Sequence, residues 1–305
     1  MNAPDANAPD LQTEDLLETL PITAWHGPFD ATLRHRAVTA LEHGKVLVLP
    51  DLAFPILPDE ADLLRPDVSG AERKNISLDP RTGRLGNAAL EPGEAGRLTA
   101  MVQRFADGSA RLLADLLTEY APVIEQARTS FRPNEIAGRT TSPRHDDKRL
   151  HVDAFPSRPL AGKRILRLFN NVAPDGAVRA WRVGEQFETY AKRFLPRIGG
   201  PVPGSAWLLK HLGITKGRRS AYDHLMLGLH DRGKLDDAYQ ATAPHADVTF
   251  APGTTWLCFT DQVLHAALAG HCALEQTFHV PVSAMTAPQL APLRVLERLA
   301  GRGLA

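Results

Sequence analysis

Two cysteines among 305 residues, Cys258 and Cys272, stand far from any CxxC spacing. That scarcity excludes a disulfide framework and a structural zinc knuckle. It fits a reducing compartment, and a cytoplasmic location is the expectation. No apolar run approaches the ~20 residues a membrane-spanning helix needs. The N-terminus has no basic start and no apolar stretch, so a secretory signal is not expected there. No zinc finger and no RNA-binding aromatic motif is present, and nucleic acid is not an expected partner. An excess of one charge is also missing, since 35 Lys+Arg balance 35 Asp+Glu. The balance hides an asymmetry: residues 139–219 hold 17 Lys/Arg against 6 Asp/Glu, a local charge of +11. Such a basic segment suits an anionic partner or a solvated basic face.

What is present is a chain that is 43% hydrophobic, enough for a substantial core. Residues 1–12, which repeat Asn-Ala-Pro-Asp, read as a disordered tail. Residues 13–138 read as a helical and strand-containing N-terminal part packed on the core. Within it Lys45–Leu49 is a buried strand, and Leu98, Met101, Val102 and Phe105 fall at helical spacing. The same spacing resumes at Leu112, Leu113, Leu116 and Leu117 after a break at Asp107-Gly108. Residues 139–285 read as a strand-rich core with strands at Leu150–Asp153, Ile165–Val172, Thr254–Phe259 and Glu275–Val282. A helical insertion is expected from Gly184 to about Leu195 and near Trp207–Leu212. Residues 286–305 read as a C-terminal helix whose leucine stripe, from Leu290 to Leu299, packs on the protein and does not lie on a bilayer. Short strands with Gly/Pro turns, preceded by helices, predict an α+β domain built on a barrel or jelly roll.

The chemistry sits in Arg149-Leu150-His151-Val152-Asp153-Ala154-Phe155-Pro156. Alternate side chains on a strand share a face, so His151 and Asp153 point the same way. An imidazole and a carboxylate that converge need only one more imidazole to form the two-His, one-carboxylate triad of non-haem Fe(II) oxygenases, which leaves coordination positions open. HxD alone is a weak signal in a chain with 12 histidines. The downstream turn and apolar strand Pro252–Phe259, followed by a polar break, place His265 at the start of a late strand. A jelly roll brings such a strand beside an early one. His271 and His279 are the competitors for the third position.

Four segments resemble the Kdo hydroxylases, Fe(II)/2-oxoglutarate dioxygenases that act on an inner-core sugar of lipopolysaccharide. They are Lys74–Pro80 (KNISLDP), Leu150–Pro159 (LHVDAFPSRP), Leu166–Val172 (LRLFNNV) and Asp261–Phe278. The resemblance implies a double-stranded β-helix (a jelly-roll, cupin-like core) and iron at His151, Asp153 and His265. It also implies 2-oxoglutarate and dioxygen as cosubstrates, and hydroxylation of Kdo at C3 to give the Ko sugar. An anionic glycolipid, Kdo-lipid A, is then the partner, which leaves room for peripheral contact with the cytoplasmic face of the inner membrane.

The distal carboxylate of 2-oxoglutarate needs a cation. Many related oxygenases carry an arginine ten to fifteen residues after the last histidine, but here Gln276, Thr277 and His279 fill that window. Arg167, 14 residues after Asp153, is the alternative, since a guanidinium pairs with a carboxylate as a fork; Arg139, Arg144 and Arg164 are its rivals. Asn170 and Gln276 are further candidates for holding the cosubstrate. Arg149, Arg158, Lys74 and Asn75 are the candidates for contacting the sugar acid. Competing readings are an oxygenase acting on a protein side chain, a non-catalytic β-helix sugar-binding protein, and a zinc hydrolase. The last would need a neighbouring general base of the HExxH kind, and the sequence has none.

Overall fold

The computed structural model describes residues 11–70, 75–201 and 204–305. Most of the expected tail lies outside this range. The strands are β1 (Leu17–Thr19), β2 (Val46–Leu49), β3 (Ile76–Asp79), β4 (Arg84–Gly86), β5 (Glu125–Arg132), β6 (Arg164–Asn171), β7 (Arg179–Gly184), β8 (His245–Phe250), β9 (Thr255–Phe259), β10 (His265–Ala269) and β11 (Ala273–Val280). They form a large sheet in the order β1-β2-β9-β6-β11-β5-β3-β4 and a small sheet in the order β10-β7-β8. Apart from the parallel pair of β1 and β2, the pairings are antiparallel.

Strand alternation distributes the core into layers. Phe169, Trp256 and Cys258 of the large sheet meet Trp181, Val183 and Val248 of the small sheet in the interior of the jelly roll. The neighbours Leu166, Leu168, Leu257 and Phe259 point the other way, onto the helices Ala31–Glu42 and Pro92–Leu116. On the far side of the small sheet, Leu264 and Ala266 pack with Leu150 and Val152 against the helices Phe187–Phe194, Ala221–Leu235 and Pro292–Ala300. The large sheet runs across residue 138: β5, with β3 and β4 beyond it, pairs directly with β11. Among the described residues no helix is long and apolar enough to cross a membrane.

Three sequence expectations change. The break at Asp107-Gly108 is absent, and Pro92–Leu116 is one helix. A mid-helix glycine costs about 1 kcal/mol, and the buried stripe from Leu98 to Leu116 outweighs it. Leu150–Asp153 is not a regular strand; His151 makes a single bridge to His265. The insertion between β7 and β8 also holds two more helices than expected, Ala221–Leu235 and Asp237–Thr242. Ser220 and Asp223 close the first of these with a reciprocal capping box. Its Gly233 is what lets Tyr190 approach, because a Cβ there would stand 2.0 Å from the Tyr190 hydroxyl, which donates to Leu229 O at 2.6 Å. Gly233→Ala is therefore expected to lower stability by about 1–3 kcal/mol, as overpacked cores do. Urea denaturation showing no change would contradict this contact.

Candidate metal centre and cleft

His151 and His265 are brought together by two backbone hydrogen bonds, His151 N to His265 O at 3.1 Å and His265 N to His151 O at 2.9 Å. Asp153 N donates to Thr260 O at 2.7 Å, so the HxD segment is pinned at both ends to the loop that enters β10. Nδ1 of His151 donates to Arg149 O at 2.7 Å, and Nδ1 of His265 donates to Val263 O at 2.9 Å. A carbonyl can only accept, so each ring carries its proton on Nδ1 and presents a bare Nε2. One ligand atom each from His151, Asp153 and His265 lie within 4.8 Å of one another. Burial holds both imidazoles below their usual pKa, which keeps them neutral. Burial also works against ionisation of Asp153, yet the Arg167 guanidinium outweighs it and holds the carboxyl below its usual range. Oδ2 of Asp153 is buried without a hydrogen-bond partner.

This donor set fits a divalent metal. It offers two imidazoles, one carboxylate with an oxygen that accepts no hydrogen bond, and no fourth protein ligand among the described residues. The rival histidines stand elsewhere. His271 faces Glu135 and Asp175 at 3.6 and 3.3 Å. His279, pushed down to about 4 by burial, lines a neighbouring cleft.

Around the triad lies a small cavity of about 60 Å³, lined by Arg132, Arg167, Arg179, Asp147, Glu275 and Trp181 among others. Glu275 occupies the late-strand window where a cation was sought, ten residues after His265. Its carboxylate accepts from Arg132 Nε at 2.8 Å and stands 3.2 Å from Arg167 Nη1. Arg167 also lies 3.3 Å from Asp153. The anions it meets here belong to the protein, and it lines both the metal cavity and the cleft beside it. Arg179, from β7, has no carboxylate within ion-pair distance among the described residues. Its Nη1 donates to Gly270 O at 2.8 Å, and its Nε is buried without a partner. Sequence reasoning missed Arg132, Arg179 and Glu275. The available signal was their alternation with buried apolar residues on central strands.

Two cosubstrate candidates are corrected by strand parity. Asn170 points away from the triad and donates to Leu52 O at 3.2 Å and Thr255 Oγ1 at 2.7 Å. Gln276, on the same outer face, accepts from Thr129 Oγ1 at 2.6 Å and donates to Thr277 O. Arg149 is likewise no substrate contact in this structure: it pairs with Asp237 and lines neither the metal cavity nor the cleft. Lys74 lies outside the described residues. Arg158 and Asn75 do line the cleft, a cavity of about 330 Å³ that shares Arg132, Arg167 and Glu275 with the metal cavity. Arg128, Ser130, Phe155 and Thr277 complete much of its wall. An outer lobe of about 290 Å³ continues past Arg128 and Arg158 to Arg81 and Lys216, with Asp79 as the one acid among the described residues on its wall.

A three-ligand centre inside a jelly roll, open on one side to a cationic cleft, defines a mononuclear non-haem iron oxygenase. The chain belongs to the Kdo hydroxylase family: the model for 3-deoxy-D-manno-oct-2-ulosonic acid (Kdo) hydroxylase matches residues 24–303. A crystal structure of the Kdo hydroxylase KdoO, a non-heme Fe(II) alphaketoglutarate-dependent dioxygenase in complex with alphaketoglutarate and Fe(III), is similar at 44% identity and a TM-score of 0.92. The similarity covers 95% of this chain and 97% of that one. KdoO in complex with cobalt(II) is similar at 46% identity and a TM-score of 0.91, over 94% and 97% of the two chains. KdoO with succinate and Fe(III) gives 44% and 0.91 over the same shares. Among curated proteins, none matches the chain.

Proposed function

We propose that this chain hydroxylates C3 of Kdo in an anionic inner-core glycolipid, Kdo-lipid A, to give Ko, with Fe(II) held by His151, Asp153 and His265. The observation that carries this reading is the cationic cleft running from the triad to the surface past Arg167, Arg132, Arg158 and Arg128. The substrate sugar bears a carboxylate, and lipid A bears phosphates. Arginine forks bind both. Held by His151, Asp153 and His265, iron would supply the oxidation that 2-oxoglutarate and dioxygen drive: one oxygen atom would enter an unactivated C–H bond and the other succinate, with loss of carbon dioxide.

The chain's own contribution is positioning and shielding. Trp181 stacks on the His265 ring at 5.2 Å between centroids, and the Arg149 and Val263 carbonyls fix the tautomers, so the ligand set is rigid before metal arrives. Phe155 lies under the Arg167 guanidinium at 5.6 Å and forms an apolar wall where the cleft meets the metal cavity. Arg158 and Asn75, on the cleft wall, orient the sugar acid. No general base is needed at the reacting carbon: on the cleft wall Glu275 is paired with Arg132, and His279 is held neutral by burial.

Succinate release and a mass gain of one oxygen in Kdo, with Fe(II), 2-oxoglutarate and Kdo-containing lipid A, test the reading. A protein substrate oxidised in preference to the sugar would replace it. Because the outer lobe carries Arg81, Arg128, Arg158 and Lys216, the apparent KM for this substrate is expected to rise severalfold as salt goes from ~0.05 to ~0.5 M and the Debye length shrinks. A flat KM over that range would remove the electrostatic role from these side chains.

A further inference from the structure

The helical insertion leaves an apolar patch uncovered beside the mouth of the cleft. Trp207, Leu212 and Ile214 are 58%, 63% and 56% exposed. They belong to the short helix Ser205–His211 and the turn after it, where Ile214 N donates back to Leu209 O at 3.0 Å and the chain closes on itself. Trp207 stacks on His211 with ring centroids 3.9 Å apart. Large apolar side chains exposed singly are ordinary; three within eight residues mark a surface that meets something. The charge around them has one sign. Between Glu188 and Asp223 the sequence has seven Lys/Arg and no Asp/Glu, and Lys210, Lys216 and Arg218 are exposed beside the patch. The patch also joins the cleft. Lys216 lines its outer lobe and donates from its backbone N to Ser157 O at 2.9 Å, while Arg219 reaches Pro156 O at 2.8 Å.

We propose that this patch docks the protein on an anionic phospholipid bilayer. Trp207, Leu212 and Ile214 enter the headgroup boundary and the surrounding Lys/Arg meet lipid phosphates, which turns the mouth of the cleft toward the membrane surface. An indole at the rim, aliphatics beside it and a basic border are the composition that partitions to such an interface. A fluid anionic surface needs no shaped groove. The docking stands on its own; its use, presenting a lipid-anchored sugar to the cleft, rests on the function proposed above.

The test is sedimentation of the full chain with vesicles of phosphatidylethanolamine and phosphatidylglycerol that contain no Kdo lipid, beside vesicles of phosphatidylcholine alone. The protein is expected to sediment with the anionic vesicles and to stay largely in solution with the neutral ones. A Trp207→Ala/Leu212→Ser/Ile214→Ser variant is expected to bind at least tenfold less. The same variant should keep its thermal midpoint and its turnover of a soluble, deacylated Kdo oligosaccharide, and lose turnover of vesicle-borne Kdo-lipid A. Wild-type protein that stays in the supernatant with anionic vesicles, or a variant that sediments as well as wild type, overturns the docking surface. Vesicle binding that is lost in the variant, together with no turnover of either Kdo substrate by wild type, upholds the surface and overturns the function instead.

Discussion

Alanine at His151, Asp153 or His265 is expected to bring iron-dependent turnover to background and to abolish stoichiometric Co(II) uptake measured by anaerobic spectroscopic titration. With three protein ligands among the described residues, losing one leaves a site no better than a chance pair of side chains. The fold should survive each change. The backbone bonds that join His151 to His265 and Asp153 to Thr260 do not involve the side chains. His279→Ala serves as the comparison: it lies in the cleft and is expected to alter substrate KM while leaving cobalt uptake intact. Metal binding should also persist as pH falls to the usual imidazole value of about 6.5. Both ligand imidazoles titrate below that value, so protons begin to compete with metal only at lower pH. If His265→Ala still took up cobalt and His279→Ala did not, the third ligand would be misassigned.

The sequence made the triad readable because each ligand depends on a local rule. Period-two alternation places His151 and Asp153 together, and it holds although the segment forms one bridge and not a full strand. His265 is legible from the turn, apolar strand and polar break before it. The same rule, applied fully, separates Arg167 from Asn170, three residues on and therefore on the opposite face. Gln276 likewise belongs to the face of Leu274 and Phe278, not to that of Glu275 and Thr277. The arginine network could not be read this way. Whether a guanidinium meets a cosubstrate or a protein carboxylate depends on which strands are neighbours. That Arg132 of β5 and Arg167 of β6 both flank Glu275 of β11 is a matter of long-range pairing. The helices Ala221–Leu235 and Asp237–Thr242 were missed although Ser220 and Asp223 spell a capping box, because Gly228 and Gly233 interrupt the apparent helix. Ile198 and the Tyr190 ring occupy the space those glycines leave.

Arg179→Ala is expected to weaken 2-oxoglutarate binding by a hundredfold or more, and more than Arg167→Ala does. Three guanidiniums, Arg132, Arg167 and Arg179, line the metal cavity against three carboxylates, Asp147, Asp153 and Glu275, for a sum of zero with both ligand histidines neutral. A divalent metal adds two positive charges and the dicarboxylate cosubstrate removes two, so the buried site is balanced when it holds both and carries an excess charge when it holds either one alone. Its affinity for 2-oxoglutarate should accordingly fall steeply when the metal is omitted. Within the cluster Arg132 is tied to Glu275, and Arg167 to Asp153 and Glu275. The Nε of Arg167 and that of Arg179 are both buried without a hydrogen bond; among the described residues Arg179 has no carboxylate at ion-pair distance and only the Gly270 carbonyl as partner, so it is the cation with capacity for a new carboxylate. Burial and the charge of Arg132 push it down to about 10, still cationic at neutral pH. Removing one partner from a buried charge pair costs roughly 3–5 kcal/mol, and Arg179→Lys should restore only part of it because the fork is lost. Arg167→Ala should instead weaken metal uptake, because Asp153 loses the guanidinium that holds it ionised. Calorimetric titration of 2-oxoglutarate into anaerobic Co(II)-loaded protein separates the two arginines. A Kd unchanged by Arg179→Ala but raised by Arg167→Ala would return the cosubstrate to Arg167.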